Sequence, residues 1–338
     1  MGMKKQICDA VFSGGGIRGI GFVGAISKFE QAGYTFRNVA GTSAGAIVSA
    51  LVASGFSAEE MYEEMSKVNF ERFKQKNIWK GFGALGTYIS ATKNFGLYNA
   101  DLFEEWLEQM LAKKNVHTFA DLGGRLMLTA CDVTDKRNLI LPNDLPSLGI
   151  NPDTFKVATA VRMSMSIPIY YEPYELTDGD GFVHYIVDGG IISNYPISII
   201  DKGTNKLDIP VFGFRFTPYK ADKVSKKPSL KSFILQIMAT IIESNSDDYK
   251  TVVRGDEQRT VYISTVVDDV PIFTTDFGIT DEQVIGLHNN GKDAAEKFLK
   301  TWDFKKWKAQ YRNNPNSLAN VFRRWRKSRT EDKRAKQA

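Results

Sequence analysis

Val39-Ala40-Gly41-Thr42-Ser43-Ala44-Gly45-Ala46-Ile47-Val48 runs from short apolar residues through Gly-x-Ser-x-Gly into a small-residue segment that extends to Ser54. This composition predicts a strand, a sharp turn and a helix, with Ser43 at the apex. A nucleophile elbow requires that order, because a strained turn lifts the serine hydroxyl out at the carboxyl edge of a sheet. Gly41 and Gly45 leave room for strand and helix to approach closely, and the helix N-terminus beneath Ser43 favours developing negative charge. An ordinary strand-to-helix turn that happens to carry serine has the same local composition. The surrounding chain has to decide between them.

Upstream, Ile7 to Phe12 reads as a buried strand that runs into Ser13-Gly14-Gly15-Gly16-Ile17-Arg18-Gly19, and a helix is expected from about Ile20 to Ala32. Successive glycines let backbone N–H groups converge on one point, which suits an oxyanion or a phosphate, and Arg18 adds a fixed positive charge. Downstream, Ile186-Val187-Asp188-Gly189-Gly190 puts an aspartate at a strand end beside two glycines. A donor-rich loop, a serine elbow and an acid therefore each fall at the carboxyl end of a strand. In open α/β sheets that edge is where ligands bind.

With these residues in hand, the sequence resembles the patatin-like phospholipases. Their pattern is Gly-Gly-Gly-x-Arg-Gly, then Gly-x-Ser-x-Gly, then Asp-Gly-Gly or Asp-Gly-Ala; here it is Gly14 to Gly19, Gly41 to Gly45, and Asp188, Gly189 and Gly190. Ala130 to Thr134 and Ala160 to Pro168 also look like the family, and the likeness covers roughly residues 6 to 220. It implies a three-layer α/β/α fold with a mainly parallel central sheet. It also implies a dyad of Ser43 and Asp188, with Gly14, Gly15, Gly16, Ile17, Arg18 and Gly19 forming the oxyanion-hole loop. The implied activity is serine lipid acyl hydrolysis through an acyl-enzyme, with phospholipids or related acyl esters as substrate and no cofactor. Acyl transfer by the same dyad, or a membrane-surface binding or scaffold role with little hydrolysis, are the alternatives.

Two other readings of the motifs fail on their own terms. Gly14-x-Gly16-x-x-Gly19 after a strand is also a dinucleotide fingerprint, but no acidic residue stands at the end of the next strand to hold a ribose. No Gly-Lys-Ser/Thr follows either, which removes a P-loop. A hydrolase triad of Ser43, Asp188 and His288 competes with the dyad. His288 falls inside a predicted helix beyond a linker, and His184 lies four residues before Asp188 on the same strand face, so neither is well placed as the base. Burial beside Ile186, Val187 and Ile191 would raise the Asp188 pKa toward a useful range.

At 338 residues with 43% hydrophobic residues, the chain can bury a full α/β core. Cys8 and Cys131 fall in predicted strands and read as buried thiols of a reducing compartment, and His117, His184 and His288 are too scattered to suggest a metal cluster. Met1 to Lys5 is basic, but the apolar stretch behind it is too short for a signal peptide. Gly2 lacks the serine or threonine a myristoylation signal wants at Gln6. The longest apolar run, Ala44 to Phe56, falls short of the ~20 residues that span a bilayer. A cytoplasmic location is expected, with peripheral membrane contact through the tail. The net charge of +5 divides into about +10 from Lys305 to Ala338 and about −5 over the rest. Such a tail seeks anionic surfaces.

The chain order predicts three regions: 6–220 catalytic, 221–304 as the end of the same α/β unit or a small extension, and 305–338 as a basic amphipathic helical tail. Ser57 and Glu60 predict a capped helix to about Asn69. Residues 70–99 mix aromatics with glycines and read equally as a lid or as a glycine-broken core helix. Leu102, Phe103, Trp106, Leu107 and Met110 have helical spacing and read as core. Strands are expected at Leu126 to Cys131, Asn138 to Leu141, Ile169 to Pro173, Val183 to Val187, Val211 to Phe216 and Val261 to Ser264. Helices are expected at Thr154 to Met163, Ser229 to Glu243 (apolar enough to be buried on more than one side) and Asp281 to Lys300. In the tail, Leu318, Val321, Phe322 and Trp325 form one stripe among arginines, and Lys305, Lys306 and Trp307 repeat that theme. The stripe suits either an anionic membrane or the acidic body of the protein itself; nucleic acid is disfavoured because no reading module accompanies the charge.

Overall fold

The structure is a computed structural model that describes residues 5–73, 75–76, 94–202, 207–218, 230–244 and 255–313. Its centre is an eight-stranded sheet. The strands are β1 (Gln6–Phe12), β2 (Tyr34–Thr42), β3 (Leu126–Asp132), β4 (Arg137–Leu141), β5 (Tyr174–Thr177), β6 (Val183–Asp188), β7 (Val211–Phe216) and β8 (Thr260–Ile263). Five run parallel in the order β8-β7-β1-β2-β3. β6 then adds antiparallel with Ala130 opposite Asp188, β5 pairs with β6 as a hairpin, and β4 pairs with β3. Parallel strands buried on both faces read as near-continuous apolar runs, which β1 and β7 approach, interrupted by Asp9 and Arg215.

Strand alternation divides the core into two layers. On one face Phe12, Phe212 and Phe214 pack against Phe29 of α1 (Ile20–Gln31) and Phe298 of a long C-terminal helix. On the other, Val11, Ala40 and Val211 pack against Tyr195 and Ile197. The remaining long helices are α2 (Ala44–Ala53), α3 (Ala58–Ser66), α4 (Asp101–Ala112), α5 (Val157–Met165), α6 (Leu230–Ser244) and α7 (Asp281–Thr301). Ser57 with Glu60, and Thr280 with Gln283, close capping boxes at the starts of α3 and α7. Helices on both faces of a mainly parallel sheet give the expected α/β architecture.

Four expectations change. The strand expected at Ile169 to Pro173 is shorter: Ile169–Tyr171 joins Gly96–Asn99 and Gln75–Lys76 in a separate three-stranded sheet, and a distinct strand, Tyr174–Thr177, pairs with β6 as a hairpin. Pro173 separates the two segments and lacks the N–H that a continuous strand would need. The helix before Pro168 spans Val157–Met165, starting later and ending later than its pattern predicts. α6 is not buried on several sides: Ile242 is interior, while Phe233 and Ile237 are exposed. Trp307 is buried: its indole donates to the Gly255 carbonyl at 2.8 Å, with the Arg259 and Arg312 guanidinium groups over its ring. Of the lid region, residues 74 and 77–93 lie outside the described residues, as does the tail stripe from Leu318 onward.

Candidate active site

Ser43 sits between β2 and α2 with φ 54 and ψ −120, a backbone conformation that costs a non-glycine residue on the order of 1–3 kcal/mol. Neighbours hold it there. Its N–H donates to Ser164 Oγ at 2.9 Å, and the preceding Thr42 hydroxyl donates to the Ser193 carbonyl at 2.9 Å. A Cβ on Gly41 would overlap the Gly45 carbonyl, so strand and helix meet as closely as the motif predicts. The Thr42 contact also ties the elbow to the Gly190–Ser193 turn that follows the acid.

Asp188 ends β6 and is fully buried. Its Oδ1 accepts the Gly190 N–H at 2.7 Å, while Oδ2 has no full hydrogen bond among the described residues. Burial pushes its pKa up to about 6, opposed by the neighbouring Ser43 side chain and the Gly190 N–H. The serine hydroxyl thus lies near enough to favour the carboxylate without closing a bond of normal geometry on Oδ2. In unliganded sites such bonds are often long.

The glycine loop meets both motifs. Gly14 N–H donates to the Asn194 carbonyl at 3.0 Å, and Ile17 N–H donates to the Thr274 carbonyl at 3.2 Å. Both donors are thereby engaged, whereas the N–H groups of Gly15 and Gly16 meet no acceptor among the described residues. Gly16 has φ +57, which favours glycine. Arg18 is buried, with its Nε donating to the Gly15 carbonyl at 2.9 Å. The arginine orders the loop. Gly19 packs against Ala44, so loop and elbow touch.

Ser43 opens onto a pocket of about 580 Å³, counting its mouth. Phe73, Phe103, Trp106, Met165, Tyr171 and Phe277 give it an apolar wall. Phe103 and Trp106, expected as plain core, therefore also shape this pocket. Helical spacing marks a stripe but not whether the partner across it is protein or empty space. Ser164, Asn194 and Thr274 had no signal of their own, although Ser164 lies within the family-like run Ala160 to Pro168.

The histidines go elsewhere. His288 stacks on Tyr62 at 4.1 Å, and burial aided by Lys292 lowers its pKa to about 4. His117 is exposed. His184 Nδ1 lies 2.9 Å from Asp132 Oδ2, and its Nε2 lies 3.4 Å from Asp178 Oδ2. Burial opposes its charge, but the carboxylates outweigh that and raise its pKa. No metal cluster was visible in the spacing, yet the fold draws Asp132, Asp135 and His184 within 4.8 Å. Arg137 Nε stands 3.6 Å from both carboxylates and already compensates their charge. The arrangement works as a clamp on the β5–β6 hairpin that carries Asp188. Cys8 and Cys131 are buried free thiols. No helix among the described residues is long and apolar enough to cross a membrane.

Residues 10–201 match the patatin-like phospholipase family model. The uncharacterized protein YqhO of Bacillus subtilis is 36% identical over 299 residues, covering 88% of this chain and 99% of the relative. A cGAMP-activated phospholipase of Escherichia coli (strain TW11681) is 24% identical over 214 residues, covering 57% of this chain and 54% of that protein. This chain thus matches about half the length of that phospholipase. Among solved structures, VipD from Legionella pneumophila shares the fold with a TM-score of 0.50 at 18% identity, covering 88% of this chain and 67% of VipD. With three motifs converging on one sheet edge and a family match over more than half its length, the chain belongs to the patatin-like phospholipase family.

Proposed function

We propose that the protein is a serine lipid acyl hydrolase that releases fatty acids from phospholipids or related acyl esters through a Ser43–Asp188 dyad. One observation carries the reading: a fully buried carboxyl with its pKa near 6 faces a serine held on a strained elbow at an apolar pocket. A carboxylate with an ordinary pKa is a weak base, and this one is tuned toward neutrality. All three histidines are occupied elsewhere or exposed, which favours the dyad over a triad.

In this mechanism Asp188 takes the Ser43 proton as Oγ attacks the ester carbonyl. Gly15 and Gly16 N–H groups donate to the oxyanion, each worth about 3 kcal/mol in the transition state. Collapse expels the alcohol, which takes the proton back from Asp188 and leaves an acyl-Ser43. Water, deprotonated by Asp188, attacks the acyl-enzyme; the bond to Ser43 Oγ breaks, Asp188 returns the proton to Ser43, and the fatty acid is released. The apolar pocket receives the acyl chain, and the family supplies the expectation of a phospholipid substrate. The basic residues beyond Asn313 are proposed to meet anionic lipid.

The test is fatty-acid release from phospholipid vesicles by the wild type, S43A, D188N and H288N, with mass spectrometry of the acylated enzyme. Loss in the first two variants, a label on Ser43 and a silent H288N are expected. Full activity in S43A would end the reading, and a dead but folded H288N would restore the triad.

A further inference from the structure

The glycine loop is buttressed by a segment that lies beyond the family match, which stops at residue 201. Between β8 and α7 the chain passes through Ile272 to Phe277 as a strap. Ile272 N–H is anchored on the Thr265 carbonyl at 2.8 Å, and Asp276 Oδ2 accepts the Phe273 N–H at 2.8 Å. Phe277 lines the pocket at Ser43, its ring 5.4 Å from that of Tyr170. Thr274, at the middle of the strap, makes two contacts with the loop. Its carbonyl accepts the Ile17 N–H, and its hydroxyl accepts Arg18 Nη2 at 2.6 Å. A Cβ on Gly16 would overlap the Thr274 carbonyl, so strap and loop fit without a gap.

The second contact acts on one peptide unit. Arg18 Nε donates to the Gly15 carbonyl, and its guanidinium lies 5.2 Å from the centre of the Phe216 ring. The peptide from Gly15 to Gly16 is planar and trans, so its C=O and N–H point in opposite directions. Whatever fixes the Gly15 carbonyl therefore aims the Gly16 N–H. Three-glycine loops have wide conformational freedom, and a preorganised donor is worth most when it need not reorient during reaction.

We propose that Thr274 is a positioning residue: through Arg18 it fixes the plane of the Gly15–Gly16 peptide and so the direction of the Gly16 N–H. The proposal rests on the reading above, in which that N–H stabilises the oxyanion. It places a residue from the part of the chain without a family match in the working of the site.

The experiment compares T274V, which keeps the branched shape but loses the hydroxyl, with T274S, which keeps the hydroxyl. Steady-state kinetics on p-nitrophenyl butyrate are measured beside thermal melting, with S43A as a control. T274V should lower kcat about tenfold, part of the 10²–10³ that losing a whole oxyanion donor costs, with KM and melting temperature nearly unchanged. T274S should restore most of kcat. A T274V enzyme at wild-type kcat, a change confined to KM, or equal losses of melting temperature and activity in both variants overturns the proposal. S43A keeps the failures apart. An inactive S43A with a full-speed T274V removes the strap's role alone, whereas an active S43A removes the serine mechanism and this inference with it.

Discussion

Asp188 is held with one full hydrogen bond and no exposure to water, in surroundings that oppose its charge. Its pKa of about 6 lies roughly two units above that of a free aspartate, about 3 kcal/mol of differential stabilisation. Between about pH 4 and pH 6 the folded protein binds more protons here than the unfolded chain does. Stability therefore falls as pH rises through that window and stays reduced above it. D188N removes the titration. It should abolish hydrolysis yet raise stability by about 2–3 kcal/mol at pH 8, with the gain vanishing toward pH 4, as read by urea melts at both pH values. An unchanged midpoint at pH 8 would contradict the desolvated carboxylate. In the proposed mechanism the same group sets the rate. kcat/KM on a soluble ester should rise about tenfold per unit below pH 6 and level off above it. Ser43 and Asp188 were legible because their chemistry is written in contiguous motifs. Ser164, Asn194 and Thr274 were not, because they act through contacts across 121, 180 and, for Thr274, 256 and 257 positions, with nothing local to mark them.

At the scale of elements, most of the fold was legible because apolar period and caps are local properties. Strands β1, β2, β3 and β7 and helices α1, α2, α4 and α7 fall close to where the pattern puts them. Apart from the shifted bounds of α5, the failures are about what an element meets. The stripe on α4 faces the pocket as well as the core, and the dense apolar set of α6 is left partly exposed over the Gly190 turn, where Ile242 packs. The pocket wall also gives a prediction. Ile47 stands one turn into α2, half-buried and lining the pocket beside Ser43. I47W should fill the acyl space while leaving the dyad alone. Hydrolysis of a long-chain ester should fall at least tenfold relative to an acetyl ester, against an overpacking cost of about 1–3 kcal/mol. Equal losses on both esters would mean that acyl chains bind elsewhere.

At the scale of the molecule, the end of the described chain belongs to the body. Arg312 and Arg259 both pair with the buried Asp201, Arg259 also pairs with the buried Asp256, and Trp307 lies beneath both guanidinium groups. Removing one member of such a cluster strands an opposite charge away from water, at about 3–5 kcal/mol. The residues after Asn313 lie outside the described residues; in sequence, from Arg323 to Lys336, they carry eight Lys or Arg against two acids. In the proposed reading these basic residues meet anionic lipid, where each Lys or Arg near the surface adds about 1 kcal/mol. A chain ending at Asn313 should melt like the full protein and hydrolyse a short soluble ester equally well, yet lose most of its binding to phosphatidylserine vesicles in low salt. R312M in the full chain should do the reverse, lowering the melting temperature and sparing vesicle binding where the protein stays folded. Should the truncated chain melt early and still bind vesicles, the last residues dock on the acidic body and the lipid role of the tail is lost.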